Sequence, residues 1–234
     1  AQALTEGRSW NMFPRYSPDG SQLAFTSDRA GSNDLWVLDR QVNPFGRVRE
    51  SLRNVSAMSR PVFQGTWSAD GSALYGTSLD MAVSFPVHRF ELRGGSQVVR
   101  DANGRNPVNH WQENPRDGKA YFILNSGSLP SSGPKLRSWS LRDGKEHTVV
   151  DRPGGAAAAR LSPDGRHMAY VHRDDLVTEL VVRDLDSGVE RSVVRGLDRG
   201  RFESRGFYGC FPNIAWHPDG TAIYLSSGGK IQRV

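Results

Sequence analysis

A short polar turn returns five times along the chain, and that periodicity narrows the possible folds more than any other property. The copies read Tyr16-Ser17-Pro18-Asp19-Gly20, Trp67-Ser68-Ala69-Asp70-Gly71, a displaced Asn114-Pro115-Arg116-Asp117-Gly118, Leu161-Ser162-Pro163-Asp164-Gly165 and Trp216-His217-Pro218-Asp219-Gly220. Their glycines stand 51, 47, 47 and 55 residues apart. Proline presets φ near −65° at the second turn position, and aspartate bonds the backbone that follows it. Glycine supplies the positive φ that other residues resist. A unit of about 40 to 50 residues that repeats in this way is the size of a propeller blade.

Alternating apolar runs follow every turn, at residues 22–27, 73–78, 120–125, 167–172 and 221–226. This is the period-2 signature of a strand. A third strand is expected near residues 34–39, 85–92, 136–141, 178–184 and 229–234, and a fourth near 48–52, 97–100, 146–150 and 190–194. The chain therefore reads as all-β, a five-bladed β-propeller of four-stranded antiparallel blades. Its blades fall at about 8–53, 60–101, 107–151, 156–195 and 210–234 plus 1–7, within a single domain of residues 1–234. The fifth unit runs out after its third strand. Gln2-Ala3-Leu4-Thr5-Glu6-Gly7 stands where a fourth would be, so the N-terminal strand is expected to close the last blade and cover its edge.

Length and composition agree with such a fold. The 234 residues suffice for a substantial core, 37% of them are hydrophobic, and no apolar run reaches the 18 residues of a membrane span. Glycine at 25 and proline at 13 match a turn-rich chain. Cys210 is the only cysteine, which excludes an internal disulfide framework and a cysteine-based zinc site. The net charge of +5 comes from arginines scattered from Arg8 to Arg205 rather than grouped in one stretch, so no nucleic-acid partner is expected. The start at Ala1-Gln2-Ala3 fits either a mature N-terminus after export or a cut inside a longer protein.

Motifs that would carry catalysis are missing from the sequence. It has no Gly-x-Ser-x-Gly elbow, no His-x-His pair and no His-Glu-x-x-His motif. No catalytic residue, metal or cofactor is expected. A ligand-binding role is expected instead at the channel mouth, where the first strands of the blades begin. Trp10, Asn11, Arg15, Gln64, His110, Trp111, Arg160, Tyr208 and Asn213 are the candidate residues. Aromatic rings with arginine and amide groups suit a polar or anionic ligand such as a peptide carboxylate.

The Ser-Pro-Asp-Gly turn after an aromatic residue, followed by Leu23-Ala24-Phe25-Thr26-Ser27-Asp28-Arg29 and Asp34-Leu35-Trp36-Val37-Leu38-Asp39, resembles the TolB-type propeller repeat of bacteria. That family's propeller has six such units, whereas five are found here. The C-terminal segments Val182-Arg183-Asp184-Leu185-Asp186-Ser187-Gly188, Gly196-Leu197-Asp198-Arg199 and Gly228-Gly229-Lys230-Ile231 resemble the propeller region that precedes a bacterial amidohydrolase domain. Propellers of this type also precede the catalytic domain of prolyl-oligopeptidase-like peptidases. The resemblance implies two alternatives: a non-catalytic binding or scaffold module with a protein or peptide partner, or the substrate-gating part of a fused or associated hydrolase. A periplasmic or other extracytoplasmic setting is expected.

Overall fold

The computed structural model describes residues 3–5, 7–42, 45, 48–79, 85–101, 108–124, 133–174, 177–197 and 214–234. The chain is an all-β, five-bladed β-propeller of antiparallel blades. It falls into two compact units, Ala1–Asn106 and Pro107–Val234. The first unit holds blade 1, made of β1 (Asn11–Tyr16), β2 (Gln22–Ser27), β3 (Asp34–Val42) and β4 (Val48–Asn54), and blade 2, made of β5 (Val62–Trp67), β6 (Ala73–Ser78), β7 (Val87–Glu91) and β8 (Ser96–Arg100). The second unit holds three blades. Blade 3 is β9 (Val108–Asn114), β10 (Lys119–Leu124), β11 (Lys135–Ser140) and β12 (Glu146–Val150). Blade 4 is β13 (Ala157–Leu161), β14 (His167–Asp174), β15 (Val177–Asp184) and β16 (Glu190–Arg195). Blade 5 is β17 (Ile214–Trp216), β18 (Ile223–Ser227) and β19 (Lys230–Arg233).

The fifth sheet departs from the expected four strands, since three are found there among the described residues. Ala3, Leu4, Thr5 and Gly7 of the expected closing strand belong to no strand, while residues 1, 2 and 6 lie outside the described residues. Leu4 and Thr5 lie at bends and Gly7–Arg8 in a turn, so this stretch has no extended run with which to form a ladder.

Each recurring turn is a small hydrogen-bonded clip. In blade 1 the Gly20 N–H donates to the Ser17 carbonyl at 2.9 Å. The Ser17 hydroxyl donates to the Asp19 carboxylate at 2.5 Å and accepts from the Gln22 N–H at 2.9 Å. Ser68 and Asp70, and likewise Ser162 and Asp164, repeat the arrangement. Serine is thus selected because one hydroxyl both donates and accepts. His217 takes its place in blade 5, with its Nδ1 2.6 Å from Asp219.

These bonds hold the carboxylates of Asp19 and Asp70 down to about 2, chiefly through the serine two residues earlier. The Thr221 N–H does the same for Asp219. A depressed folded-state value means that the unfolded chain takes up more protons in acid. The contribution is therefore complete above about pH 4 and is lost as the pH falls through about 2. Thermal melts are expected to show Tm falling across that window, and a flat Tm there would show that the clips do not contribute to stability.

Side chains of successive blades make the core between them. Met168 and Tyr170 of β14 join Tyr121, Ile123 and Leu136 of blade 3. The alternate residues Ala169 and Val171 join Ile214, Ile223 and Leu225 of blade 5. Strand β14 is therefore buried on both faces, which is why its sequence reads as a nearly continuous apolar run. Leu35, Val37, Val62, Leu74 and Phe90 form the corresponding core of the first unit. Full burial of each such side chain is worth about 1.5–3 kcal/mol.

Candidate binding site

The first strand of a blade carries a feature that the turns do not announce. In blades 1 to 4 its pairing slips by one residue, between Met12 and Arg15, Phe63 and Thr66, Asn109 and Gln112, and Ala157 and Arg160. Within each slip one non-glycine residue adopts a left-handed backbone: Phe13 at φ 57°, Gln64 at 58°, His110 at 58° and Ala158 at 49°. A side chain in that conformation costs on the order of 1–2 kcal/mol, and such β-bulges re-aim side chains. The backbone device is constant, but the residue that carries it changes from blade to blade.

In the second unit this strand geometry joins His110 and Arg160, which lie in different blades. Nη1 of Arg160 lies 2.7 Å from Nδ1 of His110 and donates to the Ala159 carbonyl at 2.8 Å. A guanidinium only donates, so Nδ1 is the acceptor and the imidazole hydrogen sits on Nε2. Trp111, the other residue of the blade 3 bulge, is buried and stacks on Phe122 with ring centroids 5.4 Å apart. It belongs to the packing of its own blade. Tyr208 and Asn213 lie outside the described residues.

Candidate residues of the first unit remain separate. Trp10 is 74% exposed, and its backbone N–H donates to the Asp28 carboxylate at 2.9 Å. Asn11 accepts from Arg29 at 2.8 Å. Arg15, near the other end of β1, donates to the Pro14 carbonyl at 3.0 Å. Gln64 occupies the bulge of β5 and is half-buried. The following residue, Gly65, faces Leu35, whose Cδ2 would stand 2.9 Å from a Cβ there. Absence of a side chain at that point lets β5 approach blade 1.

Sequence reasoning passed over the groups that hold the first strands in place. Gln112 donates through Nε2 to the Ala159 carbonyl at 3.0 Å and accepts through Oε1 from the Leu161 N–H at 3.0 Å. It thus clamps the backbone on both sides of Arg160. Asn114 donates to the Gly165 carbonyl at 2.8 Å, and Arg116 meets Asp186 side-on at 2.9 and 2.5 Å. The Trp216 indole donates to the Arg160 carbonyl at 3.0 Å, as that of Trp67 does to the Arg15 carbonyl in the first unit. The available signal was the position of Gln112 one residue ahead of Glu113 in a turn lengthened by one residue. Among the described residues, no group of three or more His, Cys, Asp or Glu side chains could hold a metal, and no helix is long and apolar enough to cross a membrane.

No family model matches the chain. Over 76 residues it is 36% identical to the Tol-Pal system protein TolB of Anaeromyxobacter dehalogenans strain 2CP-C, which is 31% of this chain and 15% of that relative. TolB of Anaeromyxobacter sp. strain K matches to the same extent. The matched stretch is thus a small part of the length of these curated relatives. Among solved structures, TolB from Acinetobacter baumannii superimposes with a TM-score of 0.64 at 14% identity, covering 98% of this chain and 55% of that one. An oligogalacturonate lyase from Vibrio parahaemolyticus gives 0.57 at 12% identity, over 98% and 80%. In its repeated sequence and in its fold, this chain resembles the TolB-type β-propeller.

Proposed function

We propose that residues 1–234 act as one non-catalytic propeller domain, a binding or scaffold module that recognises an extended protein or peptide segment along the first strands of its blades. The observation that carries this reading is the bulge. Four blades keep the same left-handed kink while its residue varies among phenylalanine, glutamine, histidine and alanine. A purely structural kink would be served best by glycine, which bears no penalty there. A retained strain with a variable side chain fits a surface tuned for recognition. Likeness to TolB, a protein of the Tol-Pal system, supports a protein partner and a periplasmic setting.

Selection from a random peptide library on the immobilised chain tests the reading. Bound peptides are expected to lose affinity at least fivefold when Gln64 or His110 is replaced by alanine. Retention of full affinity in both variants would refute it, as would hydrolysis of the selected peptides by the purified chain.

A further inference from the structure

We infer that His110 and Arg160 form a carboxylate-binding pair, so that the recognised segment is one that presents a carboxylate group to the second unit. This inference rests on the recognition reading above and names the chemistry of one of its contacts. Three observations support it.

One is the pairing itself. The guanidinium keeps its charge at all relevant pH, and its short bond to Nδ1 sets the imidazole with a hydrogen on Nε2. A permanent cation and a neutral N–H donor are thereby held side by side on half-buried residues. Planar guanidinium donors match the two oxygens of a carboxylate, and charge-assisted bonds of this kind are about twice as strong as neutral ones.

The second observation is how firmly Arg160 is anchored. Gln112 of blade 3 bonds the backbone on either side of it, at Ala159 and Leu161, and Trp216 of blade 5 bonds its own carbonyl. Three hydrogen bonds from two neighbouring blades therefore fix the backbone that aims this side chain. A donor already immobilised loses little entropy on binding, which is how a site gains affinity from preorganisation.

The third is that blades 3 and 4 are already stapled without this pair. The side-on Arg116–Asp186 ion pair and the Gln112 clamp hold them together. His110 nevertheless adopts a left-handed backbone to reach Arg160, at a cost that joining the blades does not require. The chain's net charge of +5 further favours the approach of an anion.

The test uses the full chain labelled with 15N-histidine. The His110 resonance is identified by its loss in His110→Gln, and the probes are N-acetylaspartate and the uncharged N-acetylasparagine amide at constant ionic strength. N-acetylaspartate should shift the His110 Nε2 signal saturably, the amide should not, and Arg160→Gln should weaken binding at least tenfold. Because neighbouring blades hold the Arg160 backbone, this variant should keep a near-native melting temperature. Arg160→Lys supplies a second variant, which retains charge without the planar fork and is expected to bind several-fold more weakly. An equal shift from the amide or from sodium chloride would overturn the inference, as would an unchanged saturation curve in both variants. A library-selected peptide, compared with its C-terminus free and amidated, separates a terminal from a side-chain carboxylate. A selected peptide indifferent to Arg160→Gln and Arg160→Lys would refute this inference and leave the recognition reading intact. N-acetylaspartate binding with no peptide recovered would do the reverse.

Discussion

Alanine at Gly154 is expected to be the most damaging single change in the chain, costing at least about 4 kcal/mol through backbone overlap and a disfavoured φ together. A Cβ at this position would lie 1.5 Å from the Arg173 carbonyl oxygen and 2.5 Å from its carbon. Both are backbone atoms at the end of β14, so no side-chain rotation relieves the contact. Gly154 also has a φ of +77°. The surrounding turn is held on both sides: the Gly155 N–H donates to the Arg152 carbonyl at 2.9 Å, and Nδ1 of His172 lies 2.8 Å from the Gly155 carbonyl oxygen. Urea denaturation of the purified chain should show a large fall in midpoint or no folded protein at all. A variant within about 1 kcal/mol of the parent would mean that this turn tolerates displacement and that the close approach is not needed for folding.

Truncation of Phe90 to alanine should cost about 3–5 kcal/mol, because the cavity it leaves cannot collapse. Phe90 on β7 has no exposed surface and packs within the cluster of Leu35, Val62 and Leu74. Gly76 on β6 is the reason for the tight fit. A Cβ there would already stand 2.7 Å from Val62, 2.8 Å from Leu35 and 3.5 Å from the Phe90 ring. Ring and bare backbone thus complement each other, and neighbouring atoms have little freedom to fill the void. Phe90→Leu should lose less than Phe90→Ala. Equal losses in the two variants would show that ring volume is not what the site requires.

Much of the architecture was legible in the residues. Gly20, Gly71, Gly118, Gly165 and Gly220 all have positive φ, as the turn chemistry demanded, and the alternating runs after them are strands β2, β6, β10, β14 and β18. Those features are local, and local sequence determines them. The fourth strand of blade 5 was not legible, because Gln2 to Gly7 has a plausible composition but pairing depends on distant partners. The bulges were hidden for a different reason. Phe13, Gln64, His110 and Ala158 have no shared chemistry, and nothing in their identities signals positive φ. Of the candidate site residues, His110 and Arg160 meet, yet they are 50 positions apart and only tertiary structure connects them. Gln112 escaped notice because a lone amide beside a turn is ordinary until its two backbone partners are seen.

The outer strand of blade 5 has a consequence for solubility. Strand β19 lies at the margin of its three-stranded sheet, and Ile231 on it is 82% exposed. An apolar residue on a sheet margin invites a second copy to extend the ladder. Lys230 and Arg233 flank it on either side. If two such strands paired antiparallel about their midpoint, each lysine would face the arginine of the other copy, and directly opposed like charges disfavour that register. The two basic residues act as gatekeepers, discouraging growth into fibres while leaving the margin chemically compatible with an acidic strand.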